Sequence, residues 1–412
     1  MREQPALVLA VHAAPGHAWA AGSPEGPHRV AHCLAGLREA GLLLAGREES
    51  GTHASVRLLP GPHTPAPRAL LTSIHPPAYL GALAALHTPT KVADEDDAEE
   101  FTYAGPGSLA EAAAAAGCVT AVVDAVCGPP PPGGSPRPAG LALVRPPGHH
   151  AGPGSGPDLA ASALGLGGGP GPGRAPSGFC LLSNVALGAA HARDAWGRGR
   201  PLVVDLDVHV GDGTQAALAG WGRGEGGGTG GGALVIDLHE AGVWPFDRGD
   251  PADGGPPAGP AIINVPLPPG SGDAAARAAL ARVITPAAVA FRPDIVFVCL
   301  GLDAHAADPL GRLAWRSRTY GALLAGLARL ASDLAGGRLV VVLEGGYSAA
   351  GLARGTAAVG RALVGRQGVE RARTPADEAA DEGGTDVDEE AVGDAEAAVR
   401  AALDDVCTRH GL

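Results

Sequence analysis

Runs of apolar, often β-branched residues recur along the chain and alternate with stretches rich in alanine and leucine. The apolar runs are short and nearly continuous, which is typical of strands buried on both faces of a parallel sheet. The alanine- and leucine-rich stretches have the length of helices. The predicted strands are residues 6–11, 141–145, 202–208, 233–238, 295–300 and 339–343, and the predicted helices are residues 29–40, 108–126, 183–194, 273–291 and 320–334.

Strands that alternate with helices indicate an α/β fold, in which one large domain has a central parallel sheet flanked by helices. In such sheets the functional groups gather just beyond the carboxyl ends of the strands. We therefore expect candidate site residues to follow the predicted strands directly.

Tracts rich in glycine and proline interrupt this pattern, and we interpret them as loops inserted into a domain that covers residues 1–365. An acidic segment, residues 366–390, is interpreted as a linker. Residues 391–412 are predicted to form a last helix, over 391–407, and a tail. The inserted tracts are residues 128–138, 152–177, 222–232 and 249–260.

Composition limits the classes of protein that this chain can be. Its 65 glycines and 38 prolines make up about a quarter of the 412 residues, yet 45% of the residues are hydrophobic, so the chain as a whole is not disordered. The formal net charge of −13 excludes a broad basic surface for nucleic acid. A cationic partner, such as a histone tail or a polyamine, stays compatible with that charge.

The six cysteines form no C-x-x-C pair and several lie in apolar runs, which favours reduced thiols in an intracellular compartment. We expect the cytoplasm or the nucleus, with an organelle left open. No stretch of about 18 apolar residues is free of glycine, proline or charge, so no membrane span is predicted. The first apolar run is short and lacks a basic lead, and we interpret it as a strand rather than a signal peptide.

The segment 203–213, which reads VVDLDVHVGDG, has the highest density of candidate site residues. Because side chains alternate across a strand, Asp205, Asp207 and His209 are expected on one side. Buried polar groups are costly unless they bind something, and aspartate with histidine suits a divalent metal such as zinc. The alternative is an ordinary strand-end turn, with Asp212 and its following glycine as turn residues.

A third candidate ligand follows the predicted strand 295–300, in the segment 295–311, which reads IVFVCLGLDAHAADPLG. Asp303 lies just beyond that strand, and together with Asp207 and His209 it would leave a fourth metal position open for water, as catalytic zinc sites do. Alternatively, Asp303 is a helix N-cap or a turn residue. His305 and Asp308 are interpreted as solvated loop residues without a role.

Two adjacent histidines lie in a glycine–proline turn, in the segment 144–151, which reads VRPPGHHA. A neutral histidine can take a proton from an attacking water and return it to a leaving amine. His149 and His150 would each need a carboxylate partner, for which Asp205 and Asp212 are the candidates. The alternative is a pair of exposed loop histidines.

A strand that ends in two glycines places a tyrosine at its rim, in the segment 341–348, which reads VVLEGGYS. The phenol of Tyr347 could donate a hydrogen bond to a developing oxyanion opposite the metal. Alternatively, Tyr347 packs at the edge of the core.

These four segments, in this order, resemble the zinc-dependent histone deacetylase family, which has the arginase/deacetylase fold, and in particular its class II and bacterial amidohydrolase branch. The similarity extends from residue 6 to about residue 365 and includes the segments 24–29, 178–184 and 264–270. It implies an enzyme that hydrolyses the acetyl amide of acetyl-lysine in histones or other proteins and so acts in chromatin regulation. It also implies one zinc ion per chain and an acetylated protein or peptide as partner, while the charge and the apolar pattern given above predict no direct binding to nucleic acid or membrane.

The resemblance implies roles for individual residues of the reaction centre. This chain has counterparts of the family's zinc ligands, of its histidine pair with the carboxylate partners, and of the tyrosine that polarises the carbonyl. They are Asp207, His209 and Asp303 as ligands, His149 and His150 with Asp205 and Asp212, and Tyr347.

The resemblance also implies a narrow acyl-lysine tunnel, an arginine near an acetate-release channel, and a structural potassium site. Phe179 and Trp244 correspond to two aromatic walls of the tunnel, and Arg29 to the arginine. The remaining tunnel residues are Phe101, Gly148, Leu310, Gly345 and Gly346, and the potassium site corresponds to Asp205, Asp207, His209, Asp237 and Leu238.

Four positions depart from the family pattern. Val210 stands where a second histidine is usual, and we expect changed packing rather than a lost zinc site. Phe101 replaces an aspartate that clamps the substrate backbone, which weakens the case for peptide substrates. Asp237 replaces a serine at the potassium site, and Trp244 replaces a phenylalanine and is expected to narrow the tunnel.

Three alternatives to a protein deacetylase remain. Polyamine-selective relatives carry a glutamate at the position of Leu310, and an apolar side chain cannot pair with a cationic amine, so acetyl-lysine is favoured over acetylpolyamines. A weakly active scaffold that binds acyl-lysine is disfavoured by the complete set of reaction-centre residues. An arginase-like ureohydrolase would need two metals about 3.5–4 Å apart, for which the chain has too few clustered aspartates and histidines.

Overall fold

The computed structural model describes residues 5–17, 22–43, 51–53, 55–92, 102–131, 133, 135–153, 177–221, 231–246, 248–253, 261–365 and 389–412. Most of three predicted inserts, the predicted linker and Phe101 lie outside these residues. The strands are β1 Leu7–His12, β2 Gly51–His53, β3 Val56–Leu58, β4 Thr90–Val92, β5 Thr102–Ala104, β6 Ala139–Val144, β7 Pro201–Asp205, β8 Leu234–Glu240, β9 Ala261–Leu267, β10 Ile295–Leu300 and β11 Leu339–Leu343.

Nine of these strands form one sheet in the order β2-β3-β1-β6-β11-β10-β7-β8-β9. Every neighbouring pair is parallel except β2 with β3, so eight parallel strands carry one antiparallel edge strand. The four central strands β6, β11, β10 and β7 are buried along their whole length, as expected for a sheet covered on both faces. The predicted fold class is confirmed.

Two predicted strands, β10 and β11, have the predicted bounds, and three others are shifted by one or two residues at their ends. The predicted strand 202–208 is wrong at its end, because β7 already stops at Asp205 and the chain turns there. Strand β9 was missed, because it follows directly on a glycine–proline tract that breaks the apolar pattern.

The five predicted helices are present, with one interruption. Residues 273–291 form two α-helical parts around a π-helical turn, Leu280–Ile284. The helices are α1 His28–Glu39, α2 Arg68–Leu71, α3 Pro77–Ala84, α4 Ser108–Cys127, α5 Asn184–Trp196, α6 Asp212–Leu218, α7 Asp273–Ala279, α8 Thr285–Phe291, α9 Ser317–Leu334, α10 Ala349–Gly365 and α11 Glu389–His410.

Helix α10 was not predicted, because its glycines lower the helix propensity of the segment. Small residues here serve close packing of α10 against α1. A Cβ atom at Gly36 of α1 would lie 1.9 Å from the carbonyl oxygen of Ala353, so glycine allows the two helices to touch.

Two apolar clusters cover the two faces of the sheet. Val204, Leu206 and Val208 belong to one, together with helices α7–α10, and Val203 belongs to the other, together with α4 and α5. Helix α4 and residues Asp273–Phe291 are long and apolar enough to cross a membrane, but both lie against these clusters as core helices do. All six cysteines are free thiols, and five are buried.

Helix α11 agrees with the predicted last helix within three residues at each end. It packs against β9 and the π-helical turn. Leu403 and Val406 are buried in the same cluster as β9, and Arg282 pairs with Asp404. The last helix therefore packs against the domain core, whereas the sequence predicted a helix and a tail that lie beyond an acidic linker and outside the domain.

Candidate metal centre and active site

The candidate residues lie at the carboxyl ends of four adjacent strands. Because β6, β11, β10 and β7 are neighbours in the sheet, the loops that follow them meet at one edge. These loops carry His149 and His150, Tyr347, Asp303, and Asp207 with His209, respectively. Parallel strands concentrate functional groups at this edge, in agreement with the prediction from the sequence.

Asp207, His209 and Asp303 form the one cluster among the described residues that could hold a metal ion, with their ligand atoms within 4.8 Å of one another. Nδ1 of His209 lies 3.1 Å from Oδ1 of Asp207 and 3.6 Å from Oδ2 of Asp303. The three side chains gather although β7 ends at Asp205, because the turn that follows keeps Asp207 and His209 on the side of Asp303.

The two carboxylates fit a metal ion electrostatically. Burial and the neighbouring Asp207 carboxylate raise the pKa of Asp303 to about 7. Burial lowers the pKa of His209, but the carboxylates of Asp207 and Asp303 outweigh burial and raise that pKa to about 10. Oδ2 of Asp303 is buried without a hydrogen-bond partner. The cluster therefore contains a buried acceptor oxygen to which no described residue donates. One imidazole and two carboxylates are donors that suit zinc.

Backbone amides hold both carboxylates in place. Oδ1 of Asp303 accepts from the amide of Val208 at 2.9 Å, and Oδ2 of Asp207 accepts from the amide of Gly345 at 2.9 Å. Each of the two carboxylate ligands is thus tied to the loop of another strand, which fixes both carboxylates before any ion binds.

The histidine pair lies beside this cluster, and each ring has the carboxylate partner that the sequence suggested. Nδ1 of His149 lies 3.2 Å from Oδ2 of Asp205, and Nδ1 of His150 lies 2.9 Å from Oδ1 of Asp212. The ring centroids of His149 and His150 are 3.9 Å apart. Both residues are buried, so the alternative of exposed loop histidines is wrong.

The two histidines differ in their electrostatics. Burial lowers the pKa of His149, but the carboxylates of Asp207 and Asp205 outweigh burial and hold that pKa well above its usual range. Burial and the neighbouring His149 lower the pKa of His150 to about 4. The surroundings of the two rings therefore move their pKa values in opposite directions, as the different roles of a proton donor and a proton acceptor require.

Glu344 supports the histidine pair, a role that the sequence did not predict. Its carboxylate is fully buried, and Oε2 accepts from the amides of Gly148 at 2.6 Å and His149 at 3.1 Å. Burial raises the pKa of Glu344 to about 7. The signal in the sequence was a glutamate at the end of a fully apolar strand, where an unpaired carboxylate would be costly.

Tyr347 lies between Arg29 and Phe179. The Arg29 guanidinium is 4.8 Å from the centroid of the tyrosine ring, and the ring of Phe179 is 5.6 Å from it on centroids. Nε of Arg29 also donates to the carbonyl of Gly346 at 2.7 Å. Burial raises the pKa of Tyr347 well above its ordinary value, so the phenol keeps its proton and can donate it in a hydrogen bond.

The ring of Trp244 packs against the rings of two histidines, His150 and His209. Its ring stands edge-on to His150 at 4.7 Å and to His209 at 6.3 Å between centroids. Phe179, with a φ of 64°, donates its backbone amide to Thr102 Oγ1. The two aromatic residues therefore flank the reaction centre, one beside Tyr347 and one beside His150.

The interpretation of His305 and Asp308 as solvated loop residues is wrong. Both are only 7% exposed. Oδ2 of Asp308 accepts from the backbone amides of Tyr347 at 2.6 Å and Ser348 at 2.8 Å, and Oδ1 accepts from the amide of Leu310 at 3.1 Å. Asp308 thus joins the tyrosine loop to the loop of Leu310.

The predicted potassium site includes Asp237, whose carboxylate has hydrogen-bond partners within the protein. Oδ2 accepts from the amide of Gly211 at 2.9 Å and from Gln215 Nε2 at 2.8 Å, and Oδ1 lies 2.9 Å from Nδ1 of His239. The carboxylate of Asp237 therefore has protein partners on both oxygens, and the potassium site stays a prediction. Leu238 is buried, and Val210 packs near His239 and Gly249.

Residues 23–363 match the family model for the histone deacetylase domain. The chain is 37% identical over 265 residues to histone deacetylase 14, chloroplastic, of Arabidopsis thaliana, which covers 64% of this chain and 55% of that protein. It is 36% identical over 247 residues to a histone deacetylase-like amidohydrolase of Pseudomonas aeruginosa, covering 60% of this chain and 56% of that protein.

Two further similarities bear on substrate and fold. The chain is 34% identical over 232 residues to the polyamine deacetylase HDAC10 of Mus musculus, covering 55% of this chain and 30% of that protein. The crystal structure of an HDA15 HD domain matches with a TM-score of 0.70 at 27% identity, over 98% of this chain and 94% of that one. The matched region spans about half the length of the first curated relatives.

Proposed function

This chain belongs to the histone deacetylase family, and on that premise we propose that it is a zinc-dependent deacetylase that hydrolyses the acetyl amide of acetyl-lysine in a protein or peptide and releases acetate. The observation that carries the proposal is the cluster of Asp207, His209 and Asp303, with its unpartnered buried oxygen, beside a histidine pair and a protonated tyrosine.

Asp207, His209 and Asp303 would hold the zinc ion. When bound, zinc polarises the amide carbonyl as a Lewis acid and lowers the pKa of a water. Backbone amides of two loops fix the carboxylates of Asp303 and Asp207, so these two ligands need little rearrangement on binding.

The histidine pair transfers the proton from the attacking water to the leaving amine. Nδ1 of each ring faces a carboxylate, Asp205 for His149 and Asp212 for His150, which orients the ring and leaves Nε2 to exchange the proton. We assign to this pair the removal of a proton from the attacking water and its delivery to the leaving amine. Trp244 stands against His150 and keeps bulk water from that side.

Tyr347 stabilises the charge that develops on the carbonyl oxygen. Its hydroxyl is protonated and its ring is held between Arg29 and Phe179, so the donor is oriented before the reaction begins. A donor that is preorganised in this way stabilises the transition state more than the substrate.

Acetyl-lysine is preferred to acetylpolyamines on account of Leu310. This half-buried leucine lies on the loop that Asp308 ties to Tyr347, and an apolar side chain there offers no partner to the second cationic amine of a polyamine. A polyamine deacetylase is nevertheless among the relatives, so hydrolysis of acetylpolyamines is the second candidate function.

We propose an intracellular compartment, in agreement with six free thiols. Two plant relatives carry the word chloroplastic in their names, which keeps an organelle among the candidates.

The test is acetate release that is sensitive to a chelator, measured with an acetyl-lysine peptide, free acetyl-lysine and an acetylated polyamine. The proposal expects the peptide to be cleaved with the highest kcat/KM. Cleavage of the polyamine alone would favour the second candidate function, hydrolysis of acetylpolyamines. Zinc binding without any turnover would favour a scaffold that only binds acyl-lysine.

A further inference from the structure

Asp308 is a buried carboxylate that the reaction described above does not use. It accepts three backbone hydrogen bonds, two from the consecutive amides of Tyr347 and Ser348 and one from Leu310. Three amides directed at one carboxylate hold it firmly, and in turn they fix the backbone that supplies them.

The loop of Tyr347 needs such a fixed point, because Gly345 and Gly346 directly precede the tyrosine. Gly346 has a φ of 111°, a conformation that side-chain-bearing residues rarely adopt, and two consecutive glycines leave the backbone free to take many others. Arg29 holds the loop on the near side of Tyr347, by bonding the carbonyls of Glu344 and Gly346. Asp308 holds it on the far side, at the first amides before helix α10.

We propose that Asp308 is a positioning residue for Tyr347. Its carboxylate fixes the backbone at Tyr347 and Ser348 and connects it to the loop of Leu310, so that the phenol keeps one position relative to the candidate metal centre. This inference rests on the proposed function, because it concerns how well the tyrosine donor meets the developing oxyanion.

A general loss of stability is the competing explanation for any effect of an Asp308 variant, and Asp273 offers a matched control. Asp273 also accepts a backbone amide, that of Arg316 at 3.1 Å, together with the hydroxyl of Thr319 and the guanidinium of Arg318. It anchors the start of helix α9 and has no bond to the loop of Tyr347. Asp273→Asn should therefore destabilise the domain without a specific effect on the tyrosine.

The first measurement is a double-mutant cycle on kcat with an acetyl-lysine peptide. We expect Asp308→Asn to lower kcat by about 10- to 100-fold, since a misplacement of about 1 Å can have such an effect. In a Tyr347→Phe background the same change should lower kcat by less than about twofold, because the donor that it positions is already gone. Equal effects of Asp308→Asn in both backgrounds, or an equal loss in Asp273→Asn, would overturn the inference.

The second measurement does not depend on activity. The chain has four tyrosines, Tyr79, Tyr103, Tyr320 and Tyr347, so incorporation of fluorotyrosine gives four fluorine resonances, and Tyr347→Phe identifies one of them. Asp308→Asn should broaden that resonance because the ring then occupies several positions, whereas Asp273→Asn should leave it sharp. A sharp Tyr347 signal in Asp308→Asn would contradict the inference even if the wild-type protein hydrolysed none of the substrates, an outcome that would count separately against the proposed function.

Discussion

The backbone amide of Gly345 donates a hydrogen bond to Oδ2 of Asp207 at 2.9 Å, which joins the loop of Tyr347 to a candidate metal ligand. A Cβ atom at position 345 would lie 2.0 Å from Oδ2 of Asp303 and 2.5 Å from Oδ2 of Asp207. Both distances are far inside van der Waals contact, so a side chain here would displace one of the two carboxylates.

Gly345→Ala should therefore lose its zinc. We expect well under half an equivalent of zinc per chain after dialysis, measured by elemental analysis, with a matching loss of activity. Gly81→Ala in helix α3 is the control, because nothing lies within 4 Å of the added Cβ and the change should stabilise the protein by about 0.5–1 kcal/mol. Full zinc occupancy in Gly345→Ala would mean that the carboxylates can move apart without releasing the ion.

One zinc ion per chain is expected for the wild-type protein, and none for Asp303→Asn. Zinc should raise the melting temperature, because an ion that binds only the folded state stabilises it by mass action, and Asp303→Asn should lose this effect. Asp333→Asn, at an exposed position of helix α9, should behave like the wild type. Two zinc ions per chain would instead point to the two-metal chemistry of a ureohydrolase.

Tyr347→Phe should lower kcat by about 10²- to 10³-fold, the usual effect of removing one oxyanion donor. The melting temperature should hardly change, because the ring keeps its contacts with Arg29 and Phe179. Tyr79→Phe should show the opposite pattern, since it loses a buried hydrogen bond to the carbonyl of Leu181 and hence about 1 kcal/mol of stability, with kcat retained. Steady-state kinetics and thermal unfolding of both variants distinguish the two residues.

Leu310→Glu should shift the preference from the acetyl-lysine peptide towards acetylpolyamines. A carboxylate at this position can pair with the remaining cationic amine of the polyamine, and we expect at least about a tenfold change in the ratio of kcat/KM for the two substrates. Leu310→Gln has the same size without the charge and should change the ratio little. Equal ratios in the glutamate variant and the wild type would show that this position does not select the substrate.

Stability should fall as the pH drops from about 6.5 towards 4, in part because of His75. Burial lowers the pKa of His75 from 6.5 to about 4, and its Nε2 accepts the backbone amide of Ser183 at 3.0 Å, which requires the neutral ring. The unfolded chain takes up the proton first, so this contribution is complete above pH 6.5 and is lost as the pH falls through the window.

Chemical denaturation of His75→Gln at several pH values measures that contribution. The slope of the unfolding free energy between pH 6.5 and 4 should decrease by up to about 1.4 kcal/mol per pH unit. Some slope should remain, because burial also lowers the pKa of His17 to about 4. An unchanged slope in His75→Gln would mean that the buried ring accepts a proton without loss of stability.

The sequence predicted the sheet and the cluster of candidate ligands because both follow from local patterns. Apolar runs mark the strands, and Asp207, His209 and Asp303 directly follow two of them. Glu344 and Asp308 were left without a role because their partners are backbone amides of distant loops, 196 and 39 residues away at Gly148 and Tyr347. Almost any residue type can supply a backbone amide, so the sequence does not show which residues donate to these carboxylates.

The end of β7 and the presence of α10 were missed for different physical reasons. In the sequence, the alternation of apolar and polar residues continues beyond Asp205. In the structure, the backbone turns there towards Asp303, whose carboxylate accepts from the amide of Val208, and the pairing with β10 ends. In α10, tertiary packing overrides the low helix propensity of glycine, as Gly360 illustrates, where a Cβ atom would lie 2.6 Å from Leu42 and 2.7 Å from Leu37.

The contact of helix α11 with β9 has a consequence for the integrity of the chain. Leu403 and Val406 contribute to the common core although the connection to that core runs through an acidic, glycine-containing segment. A protease that cut this connection would produce a nicked protein whose two pieces stay together by apolar contact and the Arg282–Asp404 pair. The last 24 residues could then be supplied as a separate peptide, so this connection is a natural place to divide the chain into two pieces.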